Sequence, residues 1–485
     1  MAKLVRGAEL ATMAERTVSF VIDTEVAPAF LDDLFKFMHR HYLVPQHKRF
    51  KKVRRTTLNH EQNLAFTALD PEGKWQINVK MRAEKPIHVT MTPANETVPQ
   101  TALDQLREDL FIGIELFEEK IRKTTLYFAW VEGEEVTPEK VPLKRRRFAG
   151  RIFFESMLFF FIISLLASIV LFIFLGPYAP IAVVAVQLVV VLFSAKIISR
   201  MGEWTISARN PNVHLLQYHL PVKEHKDFQK KYGKDTLLNM KKEIHEKTFG
   251  AGKELNCKTA EEVLSKYGFK CVPENMSTKT VNVYQIVKNA AEKFNLPIPK
   301  IIISNAILPN AAASGPSPKH GVVLITTGLL VQLEDDEIFS VVGHEFSHLK
   351  GRDPLALFAL MSSEYLLRIY VFWPFVLFFG LFYIIFAMAA IYFVAKFFEA
   401  RADLESAIRI GQPQVLAEAL RKIGFRKLQL ERVSAYRFQD WIGWDPHPPI
   451  YFRIERLEKM QTPVKVKHPF IRSIKDTVNG FLAIL

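Results

Sequence analysis

A mainly helical, metal-binding domain with a small β-sheet, divided by apolar hairpins and preceded by an α+β domain, is the fold class this sequence predicts. Three observations carry that expectation. His344-Glu345-Phe346-Ser347-His348 sets two histidines four residues apart within a helical pattern. Two long apolar blocks, Ser156 to Ala195 and Leu355 to Ala395, are wide enough for membrane hairpins. Residues 17 to 140 alternate strand-like and helix-like stretches, which suggests a sheet with helices on one face.

The N-terminal domain is expected to span 1–143. Thr17 to Ile22 alternates as a strand, Ala29 to His41 has helical period, Arg54 to Val89 reads as short strands, and Ala102 to Thr124 returns to helix. Lys48, Arg49, Lys51, Lys52, Arg54 and Arg55 read as a solvated strand face. Residues 1 to 20 lack an apolar core, so no cleavable signal is expected. This domain does not announce a function.

A first hairpin is expected over 144–200. Lys144 to Arg147 and Arg151 precede Ser156 to Leu175, Gly176 to Pro180 supply the turn, and Ile181 to Ala195 run apolar to Lys196 and Arg200. Positive charge on both outer flanks and none in the turn puts the flanking soluble parts and both termini in the cytoplasm. The chain carries 64 Lys and Arg against 50 Asp and Glu, a formal net charge of +14. These residues gather beside apolar segments rather than in one run, which suits an anionic membrane surface and argues against nucleic acid. Cys257 and Cys271 are the two cysteines. Lacking a CxxC pair, they are expected to be unpaired thiols in a reducing compartment.

The metal-binding part should open with 201–354. Asn210 to Glu254 reads as basic and helical, Val281 to Phe294 as a second helix, and Lys300 to Ser304 and Val322 to Thr326 as strands. Pro309 to Pro316 is a small-residue loop. Acidic Glu334 to Glu337 then start the helix that carries the two histidines. At i, i+4 both imidazoles share one helix face and can reach one zinc ion, while Glu345 beside them can take a proton from water. That is the equipment of a zinc peptidase. Two histidines capping an ordinary amphipathic helix is the plain alternative, and an apolar helix burying two histidines and a glutamate needs a cation to pair them.

The second block, 355–396, should enter and leave by one face, because a single crossing would part the ligands on either side of it. Trp373-Pro374 is the expected turn and Phe375 to Ala395 the better span; Glu364 and Arg368 lie at i, i+4 in the poorer leg. The remaining residues, 397–485, bring the rest of the site. Glu399 and Asp403 share a helix face, so Glu399 is preferred as third ligand and Asp403 as the carboxylate that orients an imidazole. Glu364 is the rival ligand. His447, in Asp445-Pro446-His447-Pro448-Pro449, is placed to donate to an oxyanion, with Arg453 six residues on.

The stretch from Val281 to Leu457 resembles the HtpX-type membrane zinc metalloproteases, relatives of the CaaX prenyl-protein endoproteases. The resemblance rests on Asn310-Ala311 with Gly315, Thr327 to Leu330, the His344 to His348 motif, Glu399 with Ala402-Asp403, and His447-Pro448-Pro449 with Arg453. It implies a zincin-type (gluzincin) fold and an integral membrane endopeptidase with one Zn2+ per chain. Its metal ligands would be His344, His348 and Glu399, with Glu345 and His447 catalytic and Asp403 behind the ligands. Asn310, Ala311 and Arg453 would bind substrate, Asn310-Ala311 near an edge strand that takes extended peptide. The expected partners are polypeptides, mainly misfolded or damaged membrane proteins, and the lipid bilayer, at the cytoplasmic face of the cell membrane. Ala312 departs from the aromatic residue often found there, which bears on side-chain preference. A CaaX-type protease and a non-cleaving binder of membrane clients are the alternatives.

Overall fold

A computed structural model describes residues 17–58, 61–70, 72–94, 98–137, 157–232, 234–253, 255–269 and 271–485. They form two compact units: the chain up to Phe128 together with Leu216–Thr278, and Ala129–Leu215 together with Lys279–Leu485. The basic flank Lys144 to Arg147 with Arg151, and residues 1–16, lie outside the described residues.

The first unit begins with β1 (Val18–Ile22), α1 (Leu31–Phe37), β2 (Phe50–Leu58), β3 (Glu61–Leu69), β4 (Gln76–Arg82), β5 (Ile87–Pro93), α2 (Gln100–Arg122) and β6 (Thr125–Val131). Strands β1 to β5 make one antiparallel sheet in the order β1-β5-β4-β3-β2. Its logic is the two-residue period: Ile77, Val79 and Met81 are buried, while Gln76, Asn78, Lys80 and Arg82 face out. The cations around β2 are partly spent on local pairs, Arg49 with Asp109 and Arg55 with Asp32. Phe37 and Phe117 join α1 to α2 through rings 5.4 Å apart.

The chain continues through α3 (Met157–Leu175), α4 (Ala179–Leu192), α5 (Ser194–Ser199), β7 (Trp204–Ile206) and β8 (Asn212–His219). A single 3-10 turn, Gly176–Tyr178, separates α3 from α4, and the two helices pack on each other. Gly176 takes φ +52°, the left-handed region a side chain resists. Residues 212–219, expected to be helical, form a strand: Val213 and Leu215 to His219 are buried, a degree of enclosure a solvated helix would not show.

Back in the first unit come α6 (Val222–Lys231), α7 (Lys234–Lys247) and α8 (Cys257–Lys266), followed by β9 (Met276–Asn282). β6, β8 and β9 form a three-stranded sheet. Cys257 and Cys271 are joined in a disulfide with their Cα atoms 5.7 Å apart. This corrects the expected pair of free thiols. The chain folds back after α8, so a separation of 14 residues closes to bonding distance.

The rest of the second unit comprises α9 (Val283–Phe294), β10 (Lys300–Ser304), β11 (Ala311–Ser314), β12 (Val322–Thr326), α10 (Thr327–Gln332), α11 (Asp335–Gly351) and α12 (Asp353–Tyr370). Then follow α13 (Trp373–Phe379), α14 (Leu381–Ile410), α15 (Pro413–Glu431), α16 (Ser434–Ile442), α17 (Ile450–Glu458) and α18 (Pro469–Leu482). A four-stranded sheet runs β11-β12-β10-β7, with β10 and β12 parallel and β11 an antiparallel edge. Helix α11 packs on α9, α14 and α15. Helices α11 and α14 come close at Gly343, where a Cβ would come 2.6 Å from Ile410 Cγ1. That contact brings the Glu399 to Asp403 turn of α14 against His344.

Leu165–Leu192 and Leu381–Ile410 are helical stretches long and apolar enough to cross a membrane; α12 and α13, bent by 82° at their break, would together give a third. The expected turn at Trp373-Pro374 is broader than foreseen. It contains the whole of α13 and ends at Gly380, at φ +52°, so the following helix starts at Leu381 rather than Phe375. Glu364 and Arg368 pair at 3.6 Å along α12.

Candidate metal centre

Helix α11 starts with a reciprocal cap: the Glu334 carboxylate accepts from the backbone at Glu337, and the Glu337 side chain accepts from the Glu334 N–H. Asp335, Asp336 and Glu337 in its first turn suit the positive end of the helix dipole. Further along the helix, His344 and His348 leave the same face, rings 4.8 Å apart. Glu399 reaches them from α14. Its Oε2 lies 3.4 Å from His344 Nε2 and its Oε1 3.4 Å from His348 Nε2, while the two Nε2 atoms are 3.1 Å apart. Among the described residues, these three form a group whose ligand atoms all lie within 4.8 Å of one another. Glu364 is not part of it.

The other ring nitrogens are held from behind. His344 Nδ1 is 2.9 Å from Asp403 Oδ1, and His348 Nδ1 is 2.7 Å from Asp353 Oδ2. With each Nδ1 turned to a carboxylate, both Nε2 atoms face Glu399. The Glu399 Oε2 atom is buried without a hydrogen-bond partner among the described residues. Something positive belongs there. Burial opposes the charged His344 imidazole, but Asp403 and Glu399 outweigh it and raise His344 to about 10. A tetrahedral ion with ligands at about 2.0–2.2 Å would space them roughly 3.3–3.6 Å apart. The two His–Glu399 separations fall within that spacing, and the 3.1 Å between the Nε2 atoms is a little shorter.

Each carboxylate behind a histidine is itself gripped by an arginine. Arg453 donates to Asp403 through Nε at 2.8 Å and Nη2 at 2.7 Å, and is almost fully buried. Arg401 donates to Asp353 and, at 3.4 Å, to the Ser347 carbonyl. The expected substrate contact through Arg453 therefore has no support in this geometry, since its fork is committed to Asp403. Asp353 and Arg401 were missed in the sequence. The available signal was an acid five residues beyond His348.

Glu345 lies next to His344 on α11. Burial pushes its carboxyl up, with the two histidines opposing, and its Oε2 accepts the Ala313 N–H at 2.8 Å. Ala313 lies on the edge strand β11, which corrects the loop expected over Pro309 to Pro316. Thr326 N–H donates to the Asn310 carbonyl at 3.0 Å, so ladder alternation turns the backbone of Ala311 and Ala313 outward, away from β12. His447 Nε2 lies 3.5 Å from Glu399 Oε2, and its Nδ1 is 2.9 Å from Asp445 Oδ1. Lys427 Nζ holds the other Asp445 oxygen at 2.6 Å, and Lys396 donates to the Asp445 carbonyl. The structure thus gathers His344, Glu345, His348, Glu399, Asp403 and His447, with Asn310 and Ala311 one strand end away.

The model of the family described as Peptidase family M48 matches residues 277–461. Proteins called protease HtpX homologue are similar over part of the chain. That of Thermococcus kodakarensis is 33% identical over 233 residues, 41% of this chain and 79% of the relative. That of Pyrococcus furiosus is 31% identical over 232 residues, 41% of this chain and 78% of the relative. That of Thermodesulfovibrio yellowstonii is 46% identical over 93 residues, 19% of this chain and 32% of that protein.

Proposed function

The chain belongs to the HtpX-type metalloproteases of peptidase family M48, and on that footing we propose that it is a membrane-embedded zinc endopeptidase that cuts polypeptides at the cytoplasmic face. The observation that carries this reading is the triangle of His344 Nε2, His348 Nε2 and Glu399, with a carboxylate behind each imidazole. His344, His348 and Glu399 would hold the zinc ion, which would supply Lewis-acid polarisation of the scissile carbonyl and a more acidic water. Glu345 takes the water's proton and passes it to the leaving amine. Its raised affinity for protons suits both halves of that transfer. His447, oriented by Asp445, donates to the oxyanion. Substrate lies extended along β11, pairing with the outward backbone of Ala311 beside Asn310; Arg453 keeps Asp403, and so His344, in place.

The fold we assign is of the gluzincin kind, with an N-terminal α+β domain of unassigned role. Helices α3 with α4, and α12 to α14, form two hairpins whose ends return to the cytoplasm, as Lys196 and Arg200 beyond an uncharged turn favour. The substrates are damaged or misfolded membrane proteins.

Cleavage of casein by the detergent-purified chain tests the activity. It should stop when a chelator strips the metal and return with zinc. Cleavage that persists at full rate after metal removal would refute the reading.

A further inference from the structure

Helix α16 and the segment after it form a face that the chemistry above does not use. Of this helix, Trp441 is fully buried, whereas Ala435, Phe438 and Ile442 are exposed. At spacings of three, four and seven those residues line one stripe of the helix. Phe438 is 41% exposed, Ile442 45%, and Trp444, just beyond, 40%. Soluble surfaces rarely line up aromatic and branched side chains like this without a partner.

The neighbours of α16 say where that stripe lies. Trp441 stacks near Phe481 of α18, with centroids 6.0 Å apart, and Phe481 meets Phe393 of α14 at 5.4 Å. Phe393 belongs to the uncharged run Leu381–Ala395, whose outer residues Phe382 and Phe386 are exposed. The first charge after that run is Lys396, and its ammonium donates to the carbonyl of Asp445, next to Trp444. Helix α16 is therefore level with the end of the apolar segment. Between residues 426 and 444 the charged residues are Arg426, Lys427, Arg432 and Arg437 against Glu431 and Asp440, a basic surround. Aromatic residues with cations beside an apolar belt match the headgroup boundary of an anionic bilayer.

We propose that α16 lies in the interfacial plane of the bilayer, with Phe438, Ile442 and Trp444 seated among lipid headgroups and upper acyl chains. This rests on the membrane-spanning reading of Leu381–Ala395. Its consequence is mechanical. His447 follows Ile442 by five residues and is tied to Asp445, so an α16 anchored in lipid holds the oxyanion donor at the membrane surface. The site then opens where a membrane-borne chain leaves the lipid.

Full-length chains carrying Phe438→Cys, Ile442→Cys, Phe382→Cys or Lys459→Cys test this after labelling with an environment-sensitive fluorophore without reductant. They are reconstituted into vesicles of phosphatidylcholine and phosphatidylglycerol, with or without nitroxide lipid. Labels at 438 and 442 should shift to the blue and lose at least about half their emission to a shallow nitroxide, as insertion to roughly 5–10 Å requires. The label at 382 should be quenched best by a deep nitroxide, and the label at 459 should stay unquenched. Quenching at 382 but not at 438 and 442 would overturn the interfacial helix alone. No quenching at 382 would overturn the spanning reading and this proposal together. A label at 438 that is shielded in detergent as well, and indifferent to nitroxide lipid, would mean a second copy or a peptide covers the stripe, and would also overturn it.

Discussion

Asp353 Oδ2 lies 2.7 Å from His348 Nδ1 and takes the Arg401 guanidinium as well, doing for His348 what Asp403 and Arg453 do for His344. Each metal-facing imidazole thus has a carboxylate behind it and an arginine behind that. Such partners fix the tautomer and aim the lone pair. Asp353→Asn should weaken metal affinity about 10- to 100-fold while leaving the fold intact. Competition with a zinc chelator on the purified chain reads this directly, and unchanged affinity would remove Asp353 from the site.

Arg453 and Asp403 are both buried, so taking away one leaves the other's charge without compensation. Arg453→Met should cost about 3–5 kcal/mol of stability. Asp403→Asn with Arg453→Met together should lose less than the single change. Thermal unfolding in detergent checks both; equal stability of Arg453→Met and wild type would contradict the pairing drawn here.

Glu399 is the ligand we assign and Glu364 the carboxylate paired with Arg368. Glu399→Gln should lower zinc occupancy and abolish cleavage, whereas Glu364→Gln should keep its zinc. Metal analysis of the two purified variants decides between them, and the reverse pattern would reassign the third ligand.

Tyr178 is exposed at the turn between α3 and α4. In sealed vesicles of known orientation, Tyr178→Cys should be labelled from the non-cytoplasmic side. Labelling solely from the cytoplasmic side would dismantle the proposed hairpin.

Much of the second unit was legible because its signals are local. The strands Lys300–Ser304 and Val322–Thr326 are short apolar runs, and the spacing of His344 and His348, like that of Glu399 and Asp403, is one helical turn. What stayed hidden depends on the chain returning to itself. Ala311–Ser314 is a strand because β12 pairs with it, not because alanine and serine favour one. Cys257 meets Cys271 through the path of the intervening chain, and the grouping of Leu216–Thr278 with the first unit leaves no mark in composition. Asp353 and Arg401 are ordinary surface residue types whose burial comes from the packing of α11, α12 and α14.

The central claim is that a metal ion and Glu345 act as separate parts of one hydrolytic site. Zinc content and casein cleavage, measured on the same preparations of wild type and Glu345→Gln, test it most directly. Both proteins should hold one zinc per chain, and the variant should lose cleavage by a factor of about 100 to 10,000, the usual worth of a general base. A Glu345→Gln protein that holds its zinc and still cleaves within a few-fold of wild type would contradict the account.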